Sequence, residues 1–326
     1  MKVFCGLPNP DARAPCALAI GNFDGVHRGH QELLARVRAA AERLGLCAAV
    51  LTFEPHAREY FANLAGNSSV APAIIATLRN KLQSLGTSGI ERVMIARFNA
   101  AFANLEPLEF VENILVDGLN VKWLMVGENF SYGKKQAGNV ASLIEAGKRF
   151  GFQVEVLPTV KDGETRVSSS AVRTALREGD FAKAAELLDK PYLISGHVIH
   201  GNQRGRVLGF PTANVRIRLA NPALSGVFVT RVHGLAGHAL KAVSCIGTRP
   251  TVDDSNRILL ETHILDYAQN CYGKLIHVEF LQKLRDNQKF ADQSALGKAI
   301  ERDVDDARAY FIKHNEVRYS LCKDRI

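Results

Sequence analysis

No stretch of this 326-residue chain is apolar for long enough to cross a bilayer. The opening MKVFCGLPNPDARAPC holds no hydrophobic signal core, so a cytoplasmic location is expected. The 6 cysteines are scattered without a Cys-x-x-Cys pair, which excludes a zinc ribbon or a disulfide framework as the organising device. In that compartment the sequon at Asn67 has no consequence. No segment repeats another, so a solenoid is excluded. Also missing is the G-x-x-x-x-G-K-[ST] loop of P-loop enzymes. The formal charge is +8, yet basic residues are interspersed with acids and no pure run exceeds two, as at Lys134-Lys135. Tight grip on a nucleic-acid backbone takes about 6–10 clustered phosphate contacts. Nucleic acid and membrane are therefore not expected as partners, and the positive excess suits small anions such as nucleotides.

What the chain does contain is the composition of a globular protein, 47% hydrophobic and 23% charged, at a length that suggests two domains. The first half alternates short apolar runs with amphipathic segments. Strands are expected at 17–20, 46–53, 92–98, 121–126 and 153–158. Helices are expected from about 31 to 44 and near 74–85, 107–116 and 139–150. That alternation predicts a doubly wound parallel sheet with helices on both faces. Beyond Pro191 the period shifts toward two. Strand-like runs at 193–200, 227–234, 239–247, 258–267 and 275–284 predict a small antiparallel barrel or sandwich. A closing helix near 294–313 carries Leu296, Ile300, Val304, Ala307 and Phe311 on one stripe.

The stretch 20-IGNFDGVHRGHQELLARV-37 organises the first half. Gly21 and Gly25 permit a tight strand-to-helix turn. His27 and His30 then fall at a helix N-terminus, where the dipole and open N–H groups attract phosphate. Gly29 removes a side chain that would keep an anion off the backbone. Each imidazole can donate to a phosphate oxygen. The group resembles the HxGH signature of the nucleotidyltransferase superfamily. The loop 54-EPHAREYF-61 follows a strand, where doubly wound sheets bind ligands. His56 and Phe61 fit such a site, although ordinary loop packing explains their spacing equally well. The glycine-rich 127-GENFSYGKKQAG-138 can wrap a nucleotide or form a plain surface turn. In 166-RVSSSAVRTALREG-179, serines and open N–H groups begin a helix, and Arg173 lies one turn in.

Two segments carry the chemistry of the second half. In 201-GNQRGRVLGFPTAN-214, Gly201, Gly205 and Gly209 let a loop approach phosphates. Thr212 and Asn214 share a face on an extended segment, offering hard oxygens to Mg²⁺ and phosphate. A turn that merely begins a strand reads the same way. Glu261 interrupts an apolar run, where a carboxylate is costly unless it has a partner or a task. It serves either as a base toward an alcohol or as the solvent face of an edge strand.

Taken together, GNFDGVHRGH, TFEPHAREYF, GENFSYG and RVSSSAVR resemble the adenylyltransferase half of bacterial bifunctional riboflavin kinase/FAD synthetase. GNQRGRVLGFPTAN, GVFVTRV, IGTRPTV, LLETHILDY and the run YGKLIHVEFLQKLRDNQKF resemble its riboflavin kinase half. The resemblance implies a Rossmann-like adenylyltransferase domain over 1–187 and a riboflavin kinase barrel with a terminal helix over 188–326. It implies that His27 and His30 hold the ATP triphosphate, with His30 stabilising charge at the α-phosphorus. It assigns Asn22, Phe23, Gly25 and Asn129 to the nucleotide, and Arg166, Ser168, Ser169 and Arg173 to the phosphates. It further implies that Thr212 and Asn214 bind Mg-ATP and that Glu261 is the base acting on the ribityl hydroxyl. Riboflavin, FMN and FAD are the implied substrates and products, and self-association is left open. The chain departs from the family pattern at Asn129, Gln136, Ser170 and Cys245. Two rivals stand beside this reading: a single-activity adenylyltransferase whose second half only binds flavin or drives assembly, and a basic nucleic-acid binder.

Overall fold

The computed structural model describes residues 1–6, 10–67, 70–162, 165–201, 209–217, 221–248 and 258–314. By packing, the chain forms two compact units. One comprises Met1–Pro72 with Lys81–Ser168, the other Ala73–Asn80 with Ser169–Ile326. This partition by packing is distinct from the partition by activity expected at 187/188.

The first unit is built on a parallel six-stranded sheet. Its strands are Lys2–Cys5 (β1), Cys16–Ile20 (β2), Cys47–Glu54 (β3), Arg92–Arg97 (β4), Val121–Gly127 (β5) and Gln153–Leu157 (β6), in the order β1-β4-β3-β2-β5-β6. All five residues of β2 are buried, as befits a central strand covered on both faces. The chain leaves β2 toward β3 and later returns to lay β5 on the other side of β2. The carboxyl ends of β2 and β5 therefore flank the topological switch point, where sheets of this kind bind ligands. Edge strand β1 was not expected. It is short and largely exposed, with Lys2 at its start, so it lacks the apolar run that marks a central strand.

Helix Arg28–Leu44 (α1) buries Leu33, Leu34, Val37, Ala40 and Ala41, and Gly45 closes it in the left-handed conformation at φ 65°. Leu44, apolar though it is, is exposed at the helix end. The expected loop 54–61 is partly helical: Ala57–Leu64 (α2) begins at its middle. The helix expected from residue 74 begins later, as Leu78–Thr87 (α3). Ala73–Asn80 belongs to the second unit and is spoken for there. Ile74 N–H donates to the Asn221 carbonyl at 2.6 Å, and Tyr192 donates to the Ile75 carbonyl at 2.9 Å. Asn80 Nδ2 donates to Ser195 Oγ at 2.9 Å. Those long-range bonds outweigh the helical pattern of the residues before Leu78. Val140–Phe150 (α4) is capped by Asn139, while Phe110–Val116 winds as a π-helix.

The second unit holds helices Ser169–Glu178 (α5) and Phe181–Leu188 (α6) and a closed barrel. Its strands are Leu193–Ile199 (β7), Ala213–Arg216 (β8), Gly226–His233 (β9), Leu240–Thr248 (β10), Ile258–Ile264 (β11) and Leu275–Arg285 (β12). They close antiparallel in the order β7-β8-β11-β10-β9-β12. Strand β11 alternates strictly, burying Ile258, Leu260, Thr262 and Ile264 and leaving Leu259, Glu261 and His263 half-buried. The buried hydroxyls of Thr230, Ser244 and Thr262 satisfy one another across three strands at 2.8 and 2.9 Å. The final helix, Gln293–Lys313 (α7), packs Val304, Ala307 and Phe311 on Val227, Val229 and Val243.

A two-pronged ion pair pins that helix. Arg285 Nε and Nη2 reach the two oxygens of Asp303 at 2.8 and 2.7 Å, and Asp303 is buried. Asp303→Ala should destabilise the barrel by about 2–4 kcal/mol, somewhat below the loss for a fully buried pair because Arg285 keeps some solvent. The expected readout is a lower urea midpoint for the barrel transition.

Candidate active sites

In the first unit, the connection from β2 to α1 is a tight, buried turn. Phe23 and Val26 sit at φ 49° and 47°, with Gly25 between them at 87°. Left-handed backbone costs a non-glycine residue about 1–2 kcal/mol. Two such residues in one turn mark a conformation held for a purpose. Phe23 and Val26 buy back part of that cost by being fully buried. Thr52 Oγ1 donates to the Asn22 carbonyl at 3.2 Å, tying the turn to β3. Asn22 Oδ1 is buried and accepts no hydrogen bond from a described residue.

His27 caps α1. Its Nδ1 accepts from the His30 main-chain N–H at 3.3 Å. With Nδ1 an acceptor, the neutral ring carries its proton on Nε2, the edge able to donate to an anion. The rings of His27 and His30 stack at 3.8 Å between centroids, and Phe23 lies 5.1 Å from His30. A Cβ on Gly29 would meet the His27 ring at 3.2 Å. Gly29 thus makes room for the imidazole as well as for an approaching anion. The sequence-predicted residues Asn22, Phe23, Gly25, His27 and His30 are one local constellation at the carboxyl end of β2.

The other candidates in this half are placed as follows. Asn129 is exposed in the turn after β5, beside the switch point. Arg166 is exposed and Ser168 half-buried at the end of the first unit. Ser169 and Arg173 pack with the second unit, where Arg173 Nε donates to the Ala73 carbonyl at 2.5 Å. His56 caps α2, its Nδ1 accepting from Arg58 N–H at 3.1 Å. Phe61 is exposed, and its ring meets those of Tyr60 at 5.3 Å and Phe98 at 5.8 Å. Phe98 in turn touches Phe53 and Phe102. The sequence reading missed Tyr60, Phe98 and Phe102. The signal was available only as an aromatic directly after β4, at a sheet end.

In the second unit, β8, β11 and β10 lie side by side. Asn214 is the register partner of Glu261, and Glu261 that of Cys245. All three therefore share the face opposite the hydroxyl ladder. Asn214 is 6% exposed, and its Oδ1 accepts no hydrogen bond from a described residue. Gly201 lies against it so closely that a Cβ would fall 2.2 Å from Asn214 Nδ2. His263 Nδ1 donates to the Pro211 carbonyl at 2.8 Å, fixing the chain just before half-buried Thr212. Cys245 Sγ donates to Asn287 Oδ1 at 3.4 Å, and Asn287 Nδ2 donates to the Ile246 carbonyl at 2.9 Å. Gly205 lies outside the described residues. Among the described residues, none of the His, Cys, Asp and Glu side chains form a metal-binding group of three. No described helix is long and apolar enough to cross a membrane.

A parallel α/β unit with an imidazole pair at its first helix, joined to a closed barrel carrying an amide–carboxylate pair, defines a transferase with two nucleotide-using modules. Residues 9–171 match the family model described as FAD synthetase, and residues 188–311 match the model described as riboflavin kinase. The bifunctional riboflavin kinase/FMN adenylyltransferase of Haemophilus influenzae is 43% identical over 313 residues, covering 95% of this chain and 99% of that protein. The enzyme of the same description from Escherichia coli K12 is 41% identical over 314 residues, covering 95% and 98%. A solved chain described as a macrolide-efflux protein from Streptococcus pneumoniae superposes with a TM-score of 0.71 at 26% identity, covering 94% of this chain and 98% of that one. The chain belongs to the bifunctional riboflavin kinase/FMN adenylyltransferase family. It carries both activities, making FMN from riboflavin and FAD from FMN with ATP.

Proposed function

We propose that residues 188–326 phosphorylate riboflavin and residues 1–187 adenylylate FMN, through the two constellations described above. What supports this division is that the two central pairs fall in different units: His27 with His30 in one, Asn214 with Glu261 in the other.

In the kinase step, Glu261 accepts the proton of the ribityl hydroxyl as that oxygen attacks the γ-phosphorus, and ADP leaves. Gly201 allows close approach of the phosphates. The Asn214 Oδ1, buried and without a partner among the described residues, is a hard oxygen fit for Mg²⁺, as is the hydroxyl of Thr212. Bound there, Mg²⁺ would neutralise charge on the phosphate oxygens. In the adenylylation step, a phosphate oxygen of FMN attacks the α-phosphorus of ATP and pyrophosphate leaves. His27 donates to the triphosphate, and His30 stabilises charge growing at the α-phosphorus. Asn22, Phe23 and Gly25 shape the nucleotide pocket, Asn129 borders it, and Arg166 and Ser168 add charge and a hydroxyl. Phe61, with Tyr60 and Phe98, offers a ring surface on which an isoalloxazine stacks, beside His56. ATP as co-substrate of both steps suits a cytoplasmic site of action.

Incubation with riboflavin, Mg²⁺ and ATP, followed by chromatography, tests the scheme. FMN should appear first and FAD later. FAD without prior FMN would contradict it. A sharper prediction concerns Gly201. Gly201→Ala forces Asn214 aside, and a displacement of about 1 Å can cost on the order of 10²-fold. FMN formation should fall by that order while adenylylation of supplied FMN is retained.

A further inference from the structure

Lys81 is a buried cation that neither half-reaction above employs. It lies in α3, and its side chain is 8% exposed. Its Nζ stands 4.0 Å from Glu54 Oε2, at the very end of β3. Asp24, inside the strained β2–α1 turn, and Glu59, on α2, are the other charges that act on it. Asp24 is itself only 3% exposed. One ammonium thus faces three carboxylates drawn from three segments, two of which bracket the proposed ATP and flavin positions. A buried ammonium is costly without counter-charges, and it offsets the repulsion among buried Asp24, half-buried Glu59 and exposed Glu54.

We propose that Lys81 is a positioning residue for adenylyl transfer, holding the β2–α1 turn and the β3–α2 connection together through Asp24, Glu54 and Glu59. The proposal rests on the reading that these two segments hold ATP and FMN. Without the ammonium, the three carboxylates push the turn that carries Asn22 and His27 away from the flavin segment that begins at His56. They also make the field beside an incoming triphosphate more negative.

Two physical consequences distinguish this from simple packing. Burial ahead of all else, then Glu54, lifts the Glu59 carboxyl above its ordinary range, and Lys81 opposes that lift. Removing Lys81 raises it further. A proton taken up by Glu59 as the pH falls then substitutes for the missing positive charge. The defect of a Lys81→Met variant is therefore largest at high pH and shrinks toward acid. Restoring the charge with Lys81→Arg repairs much of it.

The test measures adenylylation of supplied FMN between pH 6 and 8.5, with riboflavin phosphorylation by the same chain as the control for folding. Lys81→Met should lower kcat/KM on the order of 10²-fold at pH 8, mostly through KM for ATP. It should lose less at pH 6 and leave phosphorylation unchanged. Lys81→Met combined with Glu59→Gln should recover most of the loss and abolish the added pH slope. Wild-type kinetics in Lys81→Met overturn the proposal. So does a loss that is the same at every pH and is not repaired by Lys81→Arg. If Lys81→Met fails to fold, the double variant decides. A folded double variant with near-wild-type adenylylation supports charge balance, and one that also fails to fold assigns Lys81 to packing alone. His30→Ala separates the two levels. If it removes adenylylation while Lys81→Met does not, the positioning role falls and the site assignment stands. If it leaves adenylylation intact, the site assignment falls first.

Discussion

Glu261→Gln should cut FMN formation by about 10²–10⁴-fold and leave adenylylation of supplied FMN untouched. The amide preserves the shape and most of the polarity of the side chain but cannot take a proton at neutral pH. Strand β11 should not notice the change. It is held from the opposite face by the Thr230–Ser244–Thr262 hydroxyl ladder and by the buried Leu260 and Ile264. Glu261 itself is only half-buried, so no core packing is lost. Initial rates of FMN and FAD production, each followed chromatographically from its own substrate, give the measurement. A matching fall in both rates in a folded protein would show that Glu261 serves the whole chain rather than one reaction.

The strands of both units were legible where burial is symmetrical. β2 through β5 read as short apolar runs because both of their faces are covered, and β11 reads as alternation because only one of its faces is core. The segments that escaped a local reading are those governed by distant partners. β1 is an edge strand with little to bury. β8 is only four residues long and was visible merely as an extended run within a phosphate motif. Residues 74–77 have a helical pattern, yet their main chain is bonded to Asn221 and Tyr192 far along the sequence. No window of local sequence contains that information.

The sites divide along the same line. His27 and His30 lie on one turn of one helix, so spacing alone brought them together, and the stacking at 3.8 Å follows from it. Asn214 and Glu261 are nearly fifty residues apart, and their pairing is a matter of strand register, which motif resemblance implied and local pattern did not. The ring cluster of Tyr60, Phe98 and Phe102 is assembled from α2, from the residue just after β4 and from the short helix Ala100–Ala103. Lys81 was equally invisible. A lysine on an amphipathic helix normally faces water, and only the fold shows it turned toward Glu54.

His30→Ala should reduce FAD formation from FMN by about 10²–10³-fold, the usual consequence of losing one electrostatic donor at a reacting centre, with riboflavin phosphorylation unaffected. Of the two histidines, His30 gives the cleaner experiment. The main-chain N–H of residue 30 that bonds His27 survives the substitution, and only the ring stacked on His27 is lost. His27→Ala, by contrast, removes a helix cap, whose loss typically costs about 0.5–2 kcal/mol, and so mixes stability with chemistry. If His30 acts on charge that develops only during transfer, kcat should carry most of the loss and KM for ATP should move little. A loss confined to KM would instead make His30 a ground-state contact to the triphosphate. The Lys81 variant, expected to act mainly through KM, provides the contrasting pattern within the same unit.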